Sequence, residues 1–388
     1  MKKNIPFYLE SLKEEDLACL TETIRDRSVL SEHPEIMFGD RENCVERYED
    51  EVIKLTGAKH AVAVHADYAA LLIAFRVLGL KRNHRVICSI YCHPFVPACI
   101  RLFDAEPLFV DIDPQTLAML PRQCEELLSG GERIRAIVVS HLGGNLVDMR
   151  PFHALKEQYG IGVIEDLSYC LGLRDERGVH AGIDFQTDFA IVSHFGGLTR
   201  RLFGIGMLLS NNTEFAKRCR NLRYHSIVKE ATNNGFFYDI TELSSDYNAN
   251  ALSAHIALIK VKRTEQILRR REEIERYCFE ELKDFENIEF LNQERVSTHA
   301  LLPIFFKKDR DRIADRLFEY GIEARLPYVP FNLLSFHQNK SFLKVTQFPN
   351  AVGVYQRVMC LPCYDGLSDE SVQYMVDVMK QILNDGMD

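Results

Sequence analysis

Short, unbroken apolar runs alternate with helix-length segments through the first half of the chain, and that alternation leaves few folds open. Residues 61–64, 85–90, 107–112, 134–140, 161–164, 189–193 and 205–210 are aliphatic and rich in β-branched side chains. Between them, 69–75, 96–103, 120–128 and 150–159 carry helical periodicity. A strand that is apolar at every position must be covered on both faces, so the pattern predicts an α/β fold with a mostly parallel sheet between helical layers. Ligands of such sheets bind beyond the carboxyl ends of the strands. After Asn250 the character changes. A long helical stretch, 251–282, carries the charged run 269–276 on what is expected to be a solvated face. A strand (300–306), a helix (309–320), a segment holding Pro327, Pro330 and Pro349, and a last helix (368–383) follow. The expected division is a large α/β domain over 1–250, with an N-terminal helical arm, and a small α+β domain over 251–388.

Charge and cysteines narrow the class. The net charge of −9 argues against a nucleic-acid scaffold, which presents a basic face. No apolar stretch is long enough to cross a membrane, and the two lysines at the start are not followed by the apolar run of a signal peptide. The 11 cysteines are therefore expected as reduced thiols in a cytoplasmic protein. Cys360 and Cys363 form a C-x-x-C pair, at most half of a tetrahedral zinc site. They are expected as buried, inert thiols, and no metal is expected.

Two local patterns carry chemistry. Asp166 closes the run Gly162-Val-Ile-Glu165. An aspartate there can hold a cofactor's ring nitrogen protonated, or cap a turn or helix. Asp111-Ile-Asp113 can bind a metal or mark a strand end and turn, and the second is expected.

Six segments, in order, resemble the DegT/StrS-type nucleotide-sugar aminotransferases, which depend on pyridoxal phosphate (PLP). They are Gly57-Ala-Lys-His-Ala-Val-Ala-Val64, Phe109-Val-Asp-Ile-Asp-Pro114, His141-Leu142 with Asp148-Met149, Val163-Ile-Glu-Asp166, Asp246-Tyr-Asn248, and Leu361-Pro362 with Gly366-Leu-Ser368. The resemblance covers nearly the whole chain. It implies the aspartate-aminotransferase-like PLP fold type I, with a seven-stranded, mostly parallel sheet, and a dimer with its site at the subunit interface. It also implies a role in nucleotide-sugar, polysaccharide or secondary-metabolite synthesis. By this resemblance Asp166 faces the ring nitrogen, His93 stacks on the ring, Ser193 and Asn248 bind phosphate, and Tyr169 stands where the family has glutamine. Asn248 would be supplied across the dimer, and Asn250 replaces an arginine.

The chain departs from the family where the cofactor is held. The lysine motif aligns without a gap from Ser193 to Gly206, and its lysine falls on Leu198. Leucine cannot form an imine. No lysine occurs between Lys156 and Lys217. Dehydratase relatives carry histidine at this position and use the amino form of the cofactor (PMP). Here the nearest histidine is His194, a weak candidate, and Lys229 is the lysine to watch. The phosphate-binding S-S-G-T reads His65-Ala-Asp67-Tyr68, so glycine and threonine become Asp67 and Tyr68. An anion there opposes a phosphate that would rest on the helix N-terminus. The expectation is a degenerate family member without an internal aldimine. It would bind a nucleotide-sugar ligand or act as a partner subunit, as a homodimer or with an active paralogue. The alternative is a PLP- or PMP-dependent aminotransferase or dehydratase-like enzyme that works without the lysine.

Overall fold

Seven of the apolar runs become the strands of one sheet in a computed structural model, which describes residues 3–9, 12–25, 44–184, 186–193, 204–229 and 238–385. The strands are β1 (His60–Val64), β2 (Arg85–Ser89), β3 (Glu106–Val110), β4 (Ile134–Ser140), β5 (Gly162–Leu167), β6 (Phe189–Ser193) and β7 (Gly206–Ser210). Their order is β1-β7-β6-β5-β4-β2-β3. The pairs from β3 to β6 are parallel, and β7 runs antiparallel to both its neighbours. β6 and β7 are buried along their whole length, as strands covered on both faces must be. One face meets the Asp67–Val77 and Phe95–Arg101 helices, and the other meets Cys44–Thr56, Arg150–Tyr159 and Ala251–Lys262.

Two short strands, β8 (Ile227–Lys229) and β9 (Tyr238–Ile240), pair antiparallel. A second sheet joins β10 (Ile288–Phe290), β11 (Leu302–Phe306) and β12 (Val358–Leu361) in antiparallel order. The Thr264–Leu282, Arg310–Glu319 and Asp369–Asn384 helices pack on it, and Ile5 from the N-terminal segment joins that core.

The 251–282 stretch is two helices rather than one. Asn250 caps the first by accepting the Ser253 N–H at 2.8 Å. The break falls at Arg263, whose guanidinium reaches Asp16 at 2.7 Å and Glu15 at 2.8 Å on the Glu14–Arg25 helix. The charged run is not wholly solvated either. Glu275 is buried and takes Arg295 and His299 as partners. Those two contacts hold its carboxyl below the usual range despite burial, which pushes the other way.

Asp111 is a helix cap built from a distant strand. It accepts N–H groups of Asn350 at 3.0 Å and Ala351 at 2.9 Å, at the start of the Pro349–Arg357 helix. Asp113 closes a turn through Gln115 and Thr116. The thiols of Cys360 and Cys363 are buried and burial raises both, that of Cys363 to about 12. Among the described residues no group of His, Cys, Asp and Glu is placed to hold a metal, and no helix is long and apolar enough to cross a membrane.

Candidate ligand-binding cleft

The parallel register brings three polar side chains together at the carboxyl ends of the central strands. Ser140 on β4 lies beside Asp166 on β5, and β6 ends next to them at Ser193. Asp166 is 6% exposed. One carboxylate oxygen accepts from the Ser140 hydroxyl at 3.1 Å. The other accepts from the Ser168 N–H at 3.1 Å and its hydroxyl at 2.5 Å. Burial raises the carboxyl, and the three hydrogen bonds pull it back down in part. No cation pairs with Asp166 among the described residues. A buried carboxylate in that state favours a protonated nitrogen placed against it.

Next to it on the inner side, Glu165 is held differently. Its oxygens take His141 at 3.1 Å and the Thr187 hydroxyl. His141 accepts the Val147 N–H through Nδ1, so Nε2 carries the proton it donates to Glu165. This pair fixes the strand ends from behind.

A cavity of 390 Å³ opens in front of these strand ends. His93, Ser168, Tyr169 and Ser193 line its sheet side. The small sheet's surroundings close it with Tyr328, Arg325 and Leu301, and the N-terminal segment adds Phe7 and Tyr8. The third wall is helical, with Lys260 from the end of the Ala251–Lys262 helix and Thr264, Ile267, Leu268 and Arg271 from the Thr264–Leu282 helix. Gly172 makes the fit of that wall possible. Its φ is +90°, and an added Cβ would lie 2.5 Å from Thr264 Cγ2, a contact only glycine avoids. Tyr169 and Tyr328 share a hydroxyl–hydroxyl bond of 2.7 Å, and the Tyr328 ring meets His93 edge-on with centroids 5.5 Å apart.

The sequence-derived residues do not all meet here. His93, Tyr169 and Ser193 line the cavity, and Asp166 is bonded to Ser168 in its wall. Asn248 is exposed on its own chain and lies outside that wall. Its backbone bridges to Val64 at the end of β1. His194 and Leu198 lie outside the described residues. Asp67 and Tyr68 begin the Asp67–Val77 helix. Asp67 is 1% exposed, and its carboxylate accepts the Tyr68 N–H at 2.7 Å. The Tyr68 hydroxyl turns to His65 Nε2 at 2.8 Å. β7 presses against this helix start. A Cβ on Gly206 would come 2.3 Å from the Ala66 carbonyl carbon and 2.4 Å from the Asp67 nitrogen.

Placed as the resemblance implies, pyridoxal phosphate would meet different surroundings at its two ends. The ring end has Asp166 and an aromatic ring at His93. By the resemblance, the phosphate end would meet Asp67, whose carboxylate already accepts the Tyr68 N–H, and the imine position would fall on Leu198, outside the described residues.

Sequence reading did not find Lys260, Arg271, Arg325, Tyr8 or Tyr328, which come from distant parts of the chain. One signal was available for two of them. Lys260 sits inside the apolar run Ala257-Leu-Ile-Lys-Val261, and Lys260, Thr264, Leu268 and Arg271 recur at helical spacing.

Known proteins agree with this architecture. The chain is 27% identical over 392 residues to the spore coat polysaccharide biosynthesis protein SpsC of Bacillus subtilis (strain 168), covering 98% of this chain and 97% of that protein. It is 25% identical over 386 residues to the UDP-4-amino-4,6-dideoxy-N-acetyl-beta-L-altrosamine transaminase of Campylobacter jejuni (strain 81-176), covering 98% and 97%. Among solved structures, the aminotransferase TlmJ from Streptoalloteichus hindustanus superposes with a TM-score of 0.84 at 22% identity, covering 98% of this chain and 99% of that one. Helicobacter pylori PseC, an aminotransferase involved in pseudoaminic acid biosynthesis, gives 0.85 at 19%, covering 99% and 100%. At such identities these two structures establish the fold alone. Residues 28–380 match one family description across most of the chain. The protein belongs to the DegT/DnrJ/EryC1/StrS aminotransferase family.

Proposed function

We propose that this chain uses the sugar-aminotransferase fold to bind a ligand of nucleotide-sugar metabolism without forming an internal aldimine. The observation that carries the reading is the buried Asp67 carboxylate at the helix start. A phosphate a few ångströms from it meets a repulsion of roughly 1–4 kcal/mol, and Leu198 removes the covalent anchor that would offset it. The relatives named above are polysaccharide and amino-sugar proteins, which supports a sugar-nucleotide pathway for the ligand.

A second copy of the chain, or an active paralogue, completes the assembly in this reading. Asn248 faces outward, and the β8–β9 region beside it exposes Tyr238, Ile240 and Leu243. Apolar side chains grouped on a surface mark an interface.

The test is an absorbance spectrum of the purified protein with PLP, followed by borohydride reduction and peptide mass mapping. No pyridoxylated lysine in the cleft is expected. A single adduct at Lys260, the lysine lining the cavity, or at Lys229 would overturn the reading. One observation favours a second reading, an enzyme taking the amino form of the cofactor: Asp166 is buried beside the cavity without a cationic partner among the described residues. Retention of PMP through gel filtration, with loss in Asp166→Ala, would decide for it.

A further inference from the structure

The cavity is cationic in an acidic protein. Against a net charge of −9, every lining residue with a formal charge among the described residues is positive: Lys260, Arg271 and Arg325. Their neutralisation is uneven. Arg325 is engaged by Glu323 through Nε at 3.0 Å. Lys260 has Asp365 at 3.7 Å. Arg271 has no carboxylate within ion-pairing distance among the described residues, and its Nε is buried with no hydrogen-bond partner. That buried Nε is out of a ligand's reach, but the guanidinium's terminal nitrogens have no carboxylate partner among the described residues, and an oxyanion with two acceptor oxygens suits them through paired N–H···O bonds.

Arg271 and Lys260 share the helical wall, and Asp166 is bonded to Ser168 on the sheet side. An anion on the helical wall sits on a different wall from the one Asp166 is bonded to, and Asp67 is not among the residues lining the cavity. The space between is lined by Tyr169, Tyr328, Ile267 and Leu268, apolar faces that suit an uncharged ring or carbon body. The volume of 390 Å³ lies within the range of small-molecule sites.

We propose that the cleft binds a small molecule with an oxyanionic end, phosphate or carboxylate, seated on Arg271 with Lys260 beside it, and an uncharged body against Tyr169 and Tyr328. This names a ligand class for the binding reading above and rests on it, though not on whether an imine forms.

Calorimetric titration of the full chain with pyrophosphate and with malonate tests it and separates the two sources of oxyanion. Saturable binding of one or both is expected. Arg271→Gln and Lys260→Met should each weaken it by about tenfold or more, and Arg271→Lys should recover part. Circular dichroism and melting identify any variant that fails to fold, and Lys260→Met then stands in for Arg271→Gln. Absence of binding to the wild type, or equal binding in folded variants, overturns the proposal. A pyridoxylated lysine together with intact anion binding refutes the function proposed above and leaves this site standing.

Discussion

Asp67 puts a buried carboxylate at a helix start. A helix start offers unpaired N–H groups and a positive dipole end. Here an internal carboxylate accepts one of those N–H groups, and the tight approach of Gly206 holds the helix start against β7. If Asp67 is what excludes phosphate, Asp67→Gly with Tyr68→Thr should raise affinity for pyridoxal phosphate or inorganic phosphate, read by calorimetry. Asp67 is the first residue of the helix, after an Ala66 N-cap that makes no side-chain bond, so Asp67→Ala should cost about 0.5–1.5 kcal/mol of stability through the lost Tyr68 hydrogen bond. Unchanged phosphate affinity in the double variant would show that the aspartate is not the obstacle.

At the scale of elements, two buried groups tie distant segments to the sheet. Asp111 accepts three N–H groups, from Asn350, Ala351 and Ile112. Asp111→Ala leaves them without an acceptor and should destabilise the protein by about 2–3 kcal/mol, measured by urea denaturation. A loss near zero would mean the Pro349–Arg357 helix does not need its cap. His180 holds the loop that forms the cavity edge. Its Nε2 accepts the Gly172 N–H at 2.8 Å, and Nδ1 donates to the Ala181 carbonyl at 2.6 Å. Burial lowers its pKa from 6.5 to about 4. The folded state thus binds fewer protons than the unfolded chain between those values. The stability that neutral His180 contributes is fully present above pH 6.5 and is lost as pH falls towards 4. From pH 7 to 5 the loss is about 2 kcal/mol. The stability gap between wild type and His180→Gln should therefore narrow by that amount over this interval. A gap independent of pH would contradict the assignment.

For the whole molecule, the exposed Asn248 and the apolar side chains of the β8–β9 region lead to one expectation. Sedimentation at micromolar concentration should show a dimer, and Leu243→Asp with Tyr238→Ser should shift it towards monomer. Leu243 is 80% exposed and Tyr238 62% exposed in the single chain, so the pair of changes should leave the monomer fold intact. A wild-type monomer would rule out the proposed assembly.

Strand and helix identity was legible from local pattern, because burial on both faces writes itself as unbroken apolar runs. The seven strands, the helix between Arg150 and Tyr159 and the turn at Asp113 needed no distant information. The reversal of β7, by contrast, is a matter of pairing partners and not of composition. The same holds for Asp111, which looks like a strand end in sequence and acts as a cap only because residue 350 arrives beside it. The pairing of Arg263 with Asp16, 247 positions away, is likewise a product of the tertiary fold. The cationic wall was least visible of all. Lys260 and Arg271 read as an ordinary helix with a charged run until the tertiary fold turned that face inward, where low solvent access makes an unpaired guanidinium matter.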